Sequence, residues 1–327
     1  PPQCKGALLR RQYGGRGLKV YNRGMARLPW QTALKRLFPD VLLDEPLARY
    51  TSLRIGGPAD ALLTVQKAGD LERVYAFVRD HCLAATPLGW GSNVLVLDVG
   101  VRGLVLRLGG PYARIRFSSD GLVWAGAAVR LPKLVVACAE RGLAGAEPLV
   151  GIPGTVGGAL VMNAGTRERE IGDIVSSVDL FDVEALEPRR LGAAEVRFAY
   201  RASSLGGSVV LGGTLSLKAG DRVDIMDRVR RFQKRRLETQ PIHTFNVGST
   251  FKNPPGRFAA QLIEAAGLKG RVHGGARVSP MHANFIENFD GARASDVLAL
   301  VEAARTAVRA RDGLELELEM KTLGEAA

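Results

Sequence analysis

Two glycine-rich segments of this chain could bind phosphate through their backbone N–H groups. Residues 151–165 contain five glycines, and the shorter segment Gly89-Trp-Gly-Ser-Asn93 contains two. Glycine reaches conformations with positive φ, and successive turns can direct several amides into one concavity that suits an anion. Each segment alone is also compatible with a crowded connection between strands. Together they favour a site for the two phosphates of a dinucleotide, although their spacing is not the GxGxxG of a Rossmann fold.

The segment Gly248-Ser-Thr-Phe-Lys-Asn-Pro254 places a hydroxyl, an ammonium and an amide within a few residues of one another. In a functional site Ser249 would donate a proton, Lys252 would attract an anion and Asn253 would hydrogen-bond a ligand. A serine hydroxyl is a poor acid, so it needs neighbouring positive charge or a strongly basic carbanion to protonate. The same residues would equally suit a capped turn before a helix, because the prolines that follow interrupt any helix there.

An arginine and a row of glutamates are further candidates for chemistry. Arg201 has the forked guanidinium that binds a carboxylate through two N–H groups, although a surface arginine after a strand would look the same in the sequence. Near the C-terminus Glu315, Glu317 and Glu319 alternate with leucines, which predicts a half-buried strand over 314–321. Three carboxylates on one face of a strand are usually solvated. The alternation alone does not distinguish Glu317 from Glu319.

Local patterns predict the elements that would position these residues. A Ser-Asp-Gly turn between two short apolar runs predicts a β-hairpin over 113–127, and a helix is predicted over 131–141, before the longer glycine-rich segment. After Arg222 helical patterns predominate, and Ser295 is the expected N-cap of the last helix. This change from mixed strand and helix patterns to mainly helical patterns predicts a domain boundary near residue 221. The later predicted helices span 222–238, 258–266 and 295–311.

Composition excludes several classes of protein. The formal net charge is +12, but the basic residues are dispersed, aromatic residues make up only 6% of the chain and no nucleic-acid recognition motif is present. The densest basic cluster lies in the 222–238 segment, where we expect a solvated helix face that also attracts small anions. The four histidines are scattered, so no metal site is predicted. No apolar run suggests a membrane span or a secretory signal, and the three widely spaced cysteines do not indicate a disulfide framework, so we expect a protein of the reducing cytoplasm. We also expect residues 1–24 to be a poorly ordered extension.

Seven motifs, in one order from about residue 47 to residue 325, resemble the UDP-N-acetylenolpyruvoylglucosamine reductase family of flavoenzymes. There are two departures from the family pattern. Leu318 stands where the family often has proline, and the short spacing from Arg201 to Ser249 resembles the branch without the inserted loop that covers the substrate. The motifs are Thr51-Ser-Leu-Arg-Ile-Gly-Gly-Pro-Ala59, Leu88-Gly-Trp-Gly-Ser-Asn-Val-Leu95, Gly151-Ile-Pro-Gly-Thr-Val-Gly-Gly-Ala159 with Met162-Asn-Ala-Gly165, Tyr200-Arg-Ala-Ser203, Gly248-Ser-Thr-Phe-Lys-Asn-Pro254, Val278-Ser-Pro-Met-His-Ala-Asn-Phe-Ile286 and Leu316-Glu-Leu-Glu-Met-Lys321.

The resemblance implies an α+β fold. It consists of a two-subdomain FAD-binding domain of the vanillyl-alcohol-oxidase (PCMH) type and a smaller α+β substrate domain. The implied organisation is a partly disordered N-terminal extension over 1–36, the FAD-binding domain over 37–220 with a break near residue 105, and the substrate-binding domain over 221–312. A C-terminal strand over 313–327 would return to the FAD-binding domain and the site.

The resemblance also implies an NADPH-dependent oxidoreductase of peptidoglycan precursor synthesis, with a part in cell wall biogenesis, cell shape, the cell cycle and cell division. NADPH would reduce non-covalently bound FAD, which would reduce UDP-N-acetylglucosamine enolpyruvate to UDP-N-acetylmuramate. The implied protein is a monomer or weak oligomer with no nucleic-acid partner and no membrane insertion. The residues implied around FAD are Gly56, Gly57, Gly89, Gly91, Ser92, Asn93, Val94, Gly151, Ile152, Pro153, Gly154, Thr155, Gly157, Gly158, Asn163, Ala164 and Gly165.

Three residues would carry the chemistry implied by the resemblance. Arg201 would bind the substrate carboxylate and stabilise the enolate together with Glu319, and Ser249 would donate the proton. The residues implied at the substrate are Tyr200, Arg236, Lys252 and Asn253, with Arg235 as a further phosphate contact. Two other classes stay open at this point: an oxidase of the same fold that uses oxygen, and a non-catalytic protein that binds a nucleotide or flavin.

Overall fold

A four-stranded sheet and two helices form the first unit of the computed structural model, which describes residues 28–325. The sheet has the order β1-β2-β5-β3, in which β1 is antiparallel to β2 and both β2 and β3 are parallel to β5. The elements are α1 (Pro29–Leu37), β1 (Leu42–Pro46), β2 (Pro58–Val65), α2 (Asp70–Asp80), β3 (Ala85–Pro87), β4 (Val94–Val96) and β5 (Val101–Leu108).

Helix α1 is attached to this first sheet. Leu34 is completely buried, and the side chain of Gln31 donates to the backbone oxygen of Asp60 at 2.7 Å. Residues 28–36, which the sequence assigned to an extension, therefore belong to the first unit. The remainder of that predicted extension, 1–27, lies outside the described residues.

A five-stranded antiparallel sheet, ordered β10-β9-β13-β7-β6, forms the second unit. Strands β6 and β7 are the hairpin predicted over 113–127. Because β5 of the first unit ends at Leu108, the break predicted near residue 105 falls inside a strand. The elements are β6 (Ile115–Phe117), β7 (Leu122–Gly126), α3 (Leu131–Ala139), β8 (Leu143–Ala144), α4 (Val156–Met162), β9 (Val175–Asp182), β10 (Glu187–Gly192), β11 (Phe198–Ala199), β12 (Ala202–Ser203), β13 (Val209–Ser216) and β14 (Lys218–Ala219).

The long helix α5 (Arg222–Thr239) packs against the second unit. Asp221 is its N-cap and accepts hydrogen bonds from two backbone N–H groups of the first turn. Ile225 and Val229 are buried in the same core as helices α3 and α4. The helix that the sequence assigned to the substrate-binding domain therefore packs into the core that precedes it in the chain.

A third unit, after α5, contains an antiparallel sheet ordered β15-β18-β17-β16 and two helices. The last helix begins at Ala294 with Arg293 as N-cap, so the predicted cap Ser295 is wrong. Asp98 of the first unit instead accepts from the backbone N–H groups of Ala294 and Ser295, and its negative charge suits a helix N-terminus. The elements are β15 (Phe245–Asn246), α6 (Ala259–Ala265), β16 (Val272–His273), β17 (Ala276–Val278), β18 (Ile286–Asn288), α7 (Ala294–Asp312) and β19 (Lys321–Leu323).

The C-terminal segment returns to the first unit, but the strand predicted over 314–321 is mostly wrong. Only β19 is a regular strand there, and it runs parallel to β4. Before it, Leu318 forms an isolated antiparallel bridge with Phe251. The alternating leucines are buried or half-buried, as their pattern predicts, but such burial does not require the continuous ladder of hydrogen bonds that defines a strand. No helix within 28–325 is both long and apolar enough to span a membrane.

Candidate active site

The two glycine-rich turns lie against each other. Ser92 Oγ donates to the backbone oxygen of Pro153 at 3.0 Å. A Cβ atom at Gly154 would lie 2.9 Å from Ser92 Oγ, and one at Gly89 would lie 2.7 Å from the hydroxyl of Thr155. Gly154 also has a φ of +130°, which side-chain-bearing residues rarely adopt. A side chain at either position would therefore force the facing side chain to shift, and at Gly154 it would also strain the backbone.

Unpaired backbone amides collect where the turns meet. Among the hydrogen bonds of residues 28–325, none has a backbone N–H of residues 89–93, Gly154 or Thr155 as donor. The first amides of α4 are occupied, because Val156 and Gly157 donate to backbone oxygens and Gly158 donates to the side chain of Thr155. Backbone N–H groups need a partner, and a phosphate suits several that converge. The turns, rather than the helix, could therefore hold a pyrophosphate, so the residues present fit a bound dinucleotide.

Other residues predicted around the cofactor have structural reasons for their identity. A Cβ atom at Gly57, Gly157 or Gly165 would lie 2.2, 2.8 or 2.6 Å from neighbouring protein atoms. Asn163 takes a left-handed conformation after α4, and its side-chain amide is held by hydrogen bonds within the protein. These positions shape the walls around the turns, and their contact with a cofactor stays a prediction.

Arg201 and Glu319, far apart in the chain, form a part-buried ion pair. Arg201 lies in the two-residue turn between β11 and β12, and its Nε donates to Glu319 Oε1 at 2.8 Å. The two side chains are 18% and 16% exposed. Arg201 Nη1 is buried and makes no hydrogen bond to the described residues, although Glu170 Oε1 lies 3.7 Å from it, within ion-pair range. A buried donor without a partner costs about 1–3 kcal/mol, so this group is suited to a ligand carboxylate.

The two candidate glutamates occupy different environments. Burial raises the pKa of Glu319, against the opposing effects of Arg201, Lys252 and Lys321, whose positive charges lower it. Glu317 is 72% exposed at its side chain and forms an ion pair with Lys252. The structure therefore places Glu319, and not Glu317, beside Arg201, which the alternation of the sequence left open.

Backbone pairing brings Ser249 close to Glu319. The amide of Glu319 donates to Thr250 O at 2.9 Å, and the amide of Lys252 donates to Glu317 O at 2.8 Å. Asn284 holds the segment from its other side through hydrogen bonds with Thr250 and Phe251. Ser249 itself is half-buried, and its hydroxyl has no hydrogen-bond partner within the described part of the chain. The hydroxyl is therefore available to a ligand.

Two side chains connect the segments around Ser249 and Glu319 to the glycine-rich turn at residues 89–93. Asn93 Nδ2 donates to the backbone oxygen of Glu319 at 3.1 Å. Ser52 Oγ lies 2.7 Å from Asn246 O and 3.3 Å from Gly91 O. The predicted cofactor turn of the first unit thus contacts the segments of the third unit that carry Ser249 and Glu319, and Glu319 in turn pairs with Arg201 of the second unit.

The predicted substrate residues are only partly brought together. The hydroxyl of Tyr200 accepts a long hydrogen bond from the amide of Asn253 at 3.4 Å. Asn253 Oδ1 accepts from Ala259 N at the start of α6, so the segment is also the capped turn that the sequence allowed. Arg236 lies beside Gly151, whose Cβ would be 2.9 Å from Arg236 Cδ.

Arg235 and Arg236 have different partners. Its guanidinium pairs with Glu168 Oε1 at 2.9 Å, and its side chain is largely exposed. Arg236 Nε donates instead to Gln240, and burial lowers the pKa of its guanidinium. The neighbouring arginines therefore do not form one phosphate clamp, and Arg236 is the one that reaches the glycine-rich turn.

Reasoning from the sequence missed Glu170 and Arg130. Glu170 ends a charged run directly after the glycine-rich segment, and this position was a usable signal. The guanidinium of Arg130 lies 3.4 Å from the ring centre of Trp90 within the dinucleotide turn, a cation–π contact. No sequence pattern links Arg130 with Trp90, because a backbone bridge from Arg130 to Thr155 brings them together.

Known proteins resemble this chain in both halves of the site. Residues 59–185 match the family model described as FAD binding domain, and residues 240–323 match the one described as UDP-N-acetylenolpyruvoylglucosamine reductase, C-terminal domain. The UDP-N-acetylenolpyruvoylglucosamine reductase of Rubrobacter xylanophilus is 44% identical over 295 residues, which cover 89% of this chain and 98% of that protein. Reductase 2 of Symbiobacterium thermophilum is 44% identical over 282 residues, which cover 86% and 91%. The crystal structure of the Thermus caldophilus reductase (MurB) aligns with a TM-score of 0.76 at 38% identity, covering 87% and 98%.

Proposed function

Because the chain belongs to the UDP-N-acetylenolpyruvoylglucosamine reductase family, we propose that it reduces UDP-N-acetylglucosamine enolpyruvate to UDP-N-acetylmuramate with NADPH and FAD. The family, the α+β fold with an FAD-binding domain and the class of oxidoreductase predicted from the sequence are confirmed by these matches. The observation that carries the proposal is a group of backbone amides without partners among residues 28–325, which Asn93 links to the Arg201–Glu319 ion pair.

The turns at 89–93 and 154–155 would hold the FAD pyrophosphate non-covalently, through their backbone N–H groups. When bound, FAD supplies the chemistry of accepting a hydride from NADPH and delivering it to the enol ether carbon of the substrate. The opposed turns hold these amides in place before a ligand arrives, since the Ser92–Pro153 hydrogen bond joins them. A cradle already ordered in this way lowers the entropic cost of binding.

Arg201 would bind the substrate carboxylate through Nη1, the buried donor that has no hydrogen bond among residues 28–325. Hydride addition places negative charge on the carbon next to that carboxylate, and the charge spreads onto the carboxylate oxygens as an enolate. The attraction between the guanidinium, already in place, and this negative charge grows as the negative charge develops, which lowers the barrier. Glu319 would fix the guanidinium through Nε and, with its raised pKa, hold a proton more readily than an ordinary glutamate.

Ser249 would deliver the proton to the enolate carbon. Its hydroxyl is free of hydrogen bonds within 28–325 and stands beside the paired segment that carries Glu319. An enolate carbon is a strong enough base to take a proton from an alcohol. Lys252, three residues along, adds positive charge that would stabilise the serine alkoxide left behind.

The remaining substrate contacts and the wider role are proposals of the same kind. Tyr200 and Asn253 would contact the sugar, and Lys252 and Arg236 would contact the diphosphate. We place the activity in the cytoplasm, because both substrates are highly charged nucleotides that do not cross a bilayer unaided. The product would supply peptidoglycan synthesis, and through it cell wall biogenesis, cell shape, the cell cycle and cell division. A monomer or weak oligomer stays a prediction.

The domain limits are also proposals. The family resemblance implied FAD binding over residues 37–220 and substrate binding over residues 221–312; we now propose limits of 28–239 and 240–312, with 313–327 returning to the FAD-binding domain. The parallel pairing of β19 with β4 supports this return. The burial of α5 against the second unit favours a substrate domain that begins after Thr239, which agrees with the match of the C-terminal family model from residue 240.

An anaerobic half-reaction experiment tests the proposed function. The purified protein should be yellow, NADPH should bleach the flavin band, and the enolpyruvyl UDP-sugar should restore it. Protein without flavin after gentle purification would refute the FAD site. Rapid recovery of the band in air, with no response to the UDP-sugar, would establish an oxidase instead.

A further inference from the structure

Glu170 and Asn163 form a hydrogen-bonded pair behind Arg201. We propose that Glu170, held by Asn163, is a positioning residue that orients the Arg201 guanidinium toward the substrate carboxylate. The inference rests on the proposed function, in which Arg201 binds that carboxylate. It assigns a task to a charged residue near the site and to the buried side-chain amide of Asn163, which hydrogen-bonds to protein atoms.

Asn163 joins three segments of the second unit. It is 2% exposed and takes a left-handed conformation (φ 44°) directly after α4, a position that asparagine tolerates well. Its Nδ2 donates to Glu170 Oε2 at 2.6 Å and to Ala199 O at 3.1 Å, and its Oδ1 accepts from Gly172 N at 3.0 Å. The end of α4, the Glu170 segment and the hairpin that carries Arg201 are thus fixed by one side chain.

Glu170 therefore presents its other oxygen to Arg201. Oε1 lies 3.7 Å from Arg201 Nη1, within the range of an ion pair but too far for a hydrogen bond. On the other edge of the guanidinium, Nε is bonded to Glu319. Two carboxylates from different parts of the chain thus flank one cation. This arrangement opposes rotation of the guanidinium, while Nη1 makes no hydrogen bond among residues 28–325.

The backbone under Arg201 is held as well, so the guanidinium is the part that Glu170 controls. Ser203 Oγ, in the same hairpin, donates to Val161 O of α4 at 2.8 Å. Arg201 has a φ of 56°, a conformation available to it because the hairpin is anchored on both sides. Losing the charge of Glu170 should consequently loosen the side chain and leave the hairpin in place.

Glu170→Gln separates positioning from simple damage. Glutamine keeps an oxygen for Asn163, so the fold should persist, but it removes a negative charge next to the site for an anionic substrate. We expect substrate affinity to stay the same or to rise by up to about tenfold, because repulsion is removed. We expect the rate of flavin reoxidation by the UDP-sugar to fall about 10- to 100-fold, because a catalytic group is no longer held in its productive geometry.

The experiment uses full-length holoenzyme in anaerobic stopped-flow measurements of both half-reactions. Glu187→Gln, an exposed glutamate on β10, is the matched control and should change nothing by more than about twofold. The double variant Glu170→Gln with Arg201→Gln tests whether Glu170 acts through the arginine. Its reoxidation rate should match that of Arg201→Gln alone within about twofold, because a residue that acts through another adds no second loss.

The outcomes are distinguishable. Wild-type flavin that the UDP-sugar does not reoxidise would refute the proposed function and this inference together. If wild-type reacts but Glu170→Gln reacts equally fast, only the inference fails. It fails also if the two losses multiply in the double variant, or if Glu170→Gln loses flavin, NADPH reactivity and substrate affinity together, since that pattern reports structural damage. Glu170→Asp, which keeps the charge, should recover part of the rate and supports the inference only if it does.

Discussion

Replacing Arg201 by glutamine should slow one half-reaction and spare the other. The side chain makes a 2.8 Å charge-assisted hydrogen bond to Glu319 in a setting where both side chains are less than one fifth exposed. A bond of this kind contributes about 1.5–3 kcal/mol. Its Nη1 adds a contact to the substrate carboxylate, where negative charge develops. Loss of one donor to developing charge typically costs 10²- to 10³-fold in rate, and we expect about that loss here.

The assay follows the flavin absorbance band in the absence of oxygen. Reduction by NADPH should stay within about twofold of wild-type, because Arg201 is not proposed to contact NADPH, whereas reoxidation by the enolpyruvyl UDP-sugar should show the whole loss. Arg190→Gln is the matched control, because Arg190 also forms a close ion pair, with Asp179, on the exposed edge of the second sheet. Equal losses in the two half-reactions, or no loss with the sugar, would contradict the proposed role of Arg201.

Three further predictions concern other residues of the site. Ser249→Ala should slow reoxidation by the UDP-sugar about 10²- to 10⁴-fold and leave reduction by NADPH unaffected; a normal rate would remove Ser249 as the proton donor. Gly91→Ala should weaken FAD binding about tenfold or more in a flavin titration, because the new Cβ would lie 2.2 Å from Tyr50 O at a φ of +66°. Gly291→Ala is the control: it is also left-handed, but its Cβ would have open space around it, so FAD binding should not change. Because burial raises the pKa of Glu319, this carboxyl ionises at a lower pH in the unfolded chain, near the ordinary value of 4.5, than in the folded protein. As pH rises from 4.5 to the raised pKa, the wild-type protein should therefore lose thermal stability relative to Glu319→Gln. A difference in melting temperature between the two proteins that stays constant over this range would contradict a buried carboxyl with a raised pKa.

Sequence patterns predicted local features well where the cause was local. The hairpin over 113–127 follows from its turn residues, and the helix over 131–141 begins with a proline in its first turn, as observed for α3. The errors occurred where a distant residue supplied the partner. Ser295 is not the N-cap of α7, because Asp98 of another unit supplies the acceptor for that helix end. The C-terminal alternation described the burial of Leu316 and the exposure of Glu315 and Glu317, but it described neither the burial of Glu319 nor the strand pairing.

The candidate site divides in the same way. Residue types and their order were enough to identify the family, the FAD-binding fold and Arg201 and Ser249 as candidates, because these depend on chemistry carried by individual side chains. The choice of Glu319 over Glu317 needed the pairing of 250–252 with 317–319, which turns one glutamate toward Arg201 and the other toward solvent. The position of Glu170 needed the hydrogen bonds of Asn163.

The sequence by itself determined which chemical groups this protein has and which family they belong to. The tertiary structure alone decided which of those groups share an environment. The two glycine-rich segments, for example, bring together amides that have no partner among residues 28–325, because Ser92 bonds to Pro153 and the backbone of Arg130 bridges to Thr155. Hydrogen bonding and burial depend on neighbours in space, and residues far apart in the chain become neighbours only when the units pack.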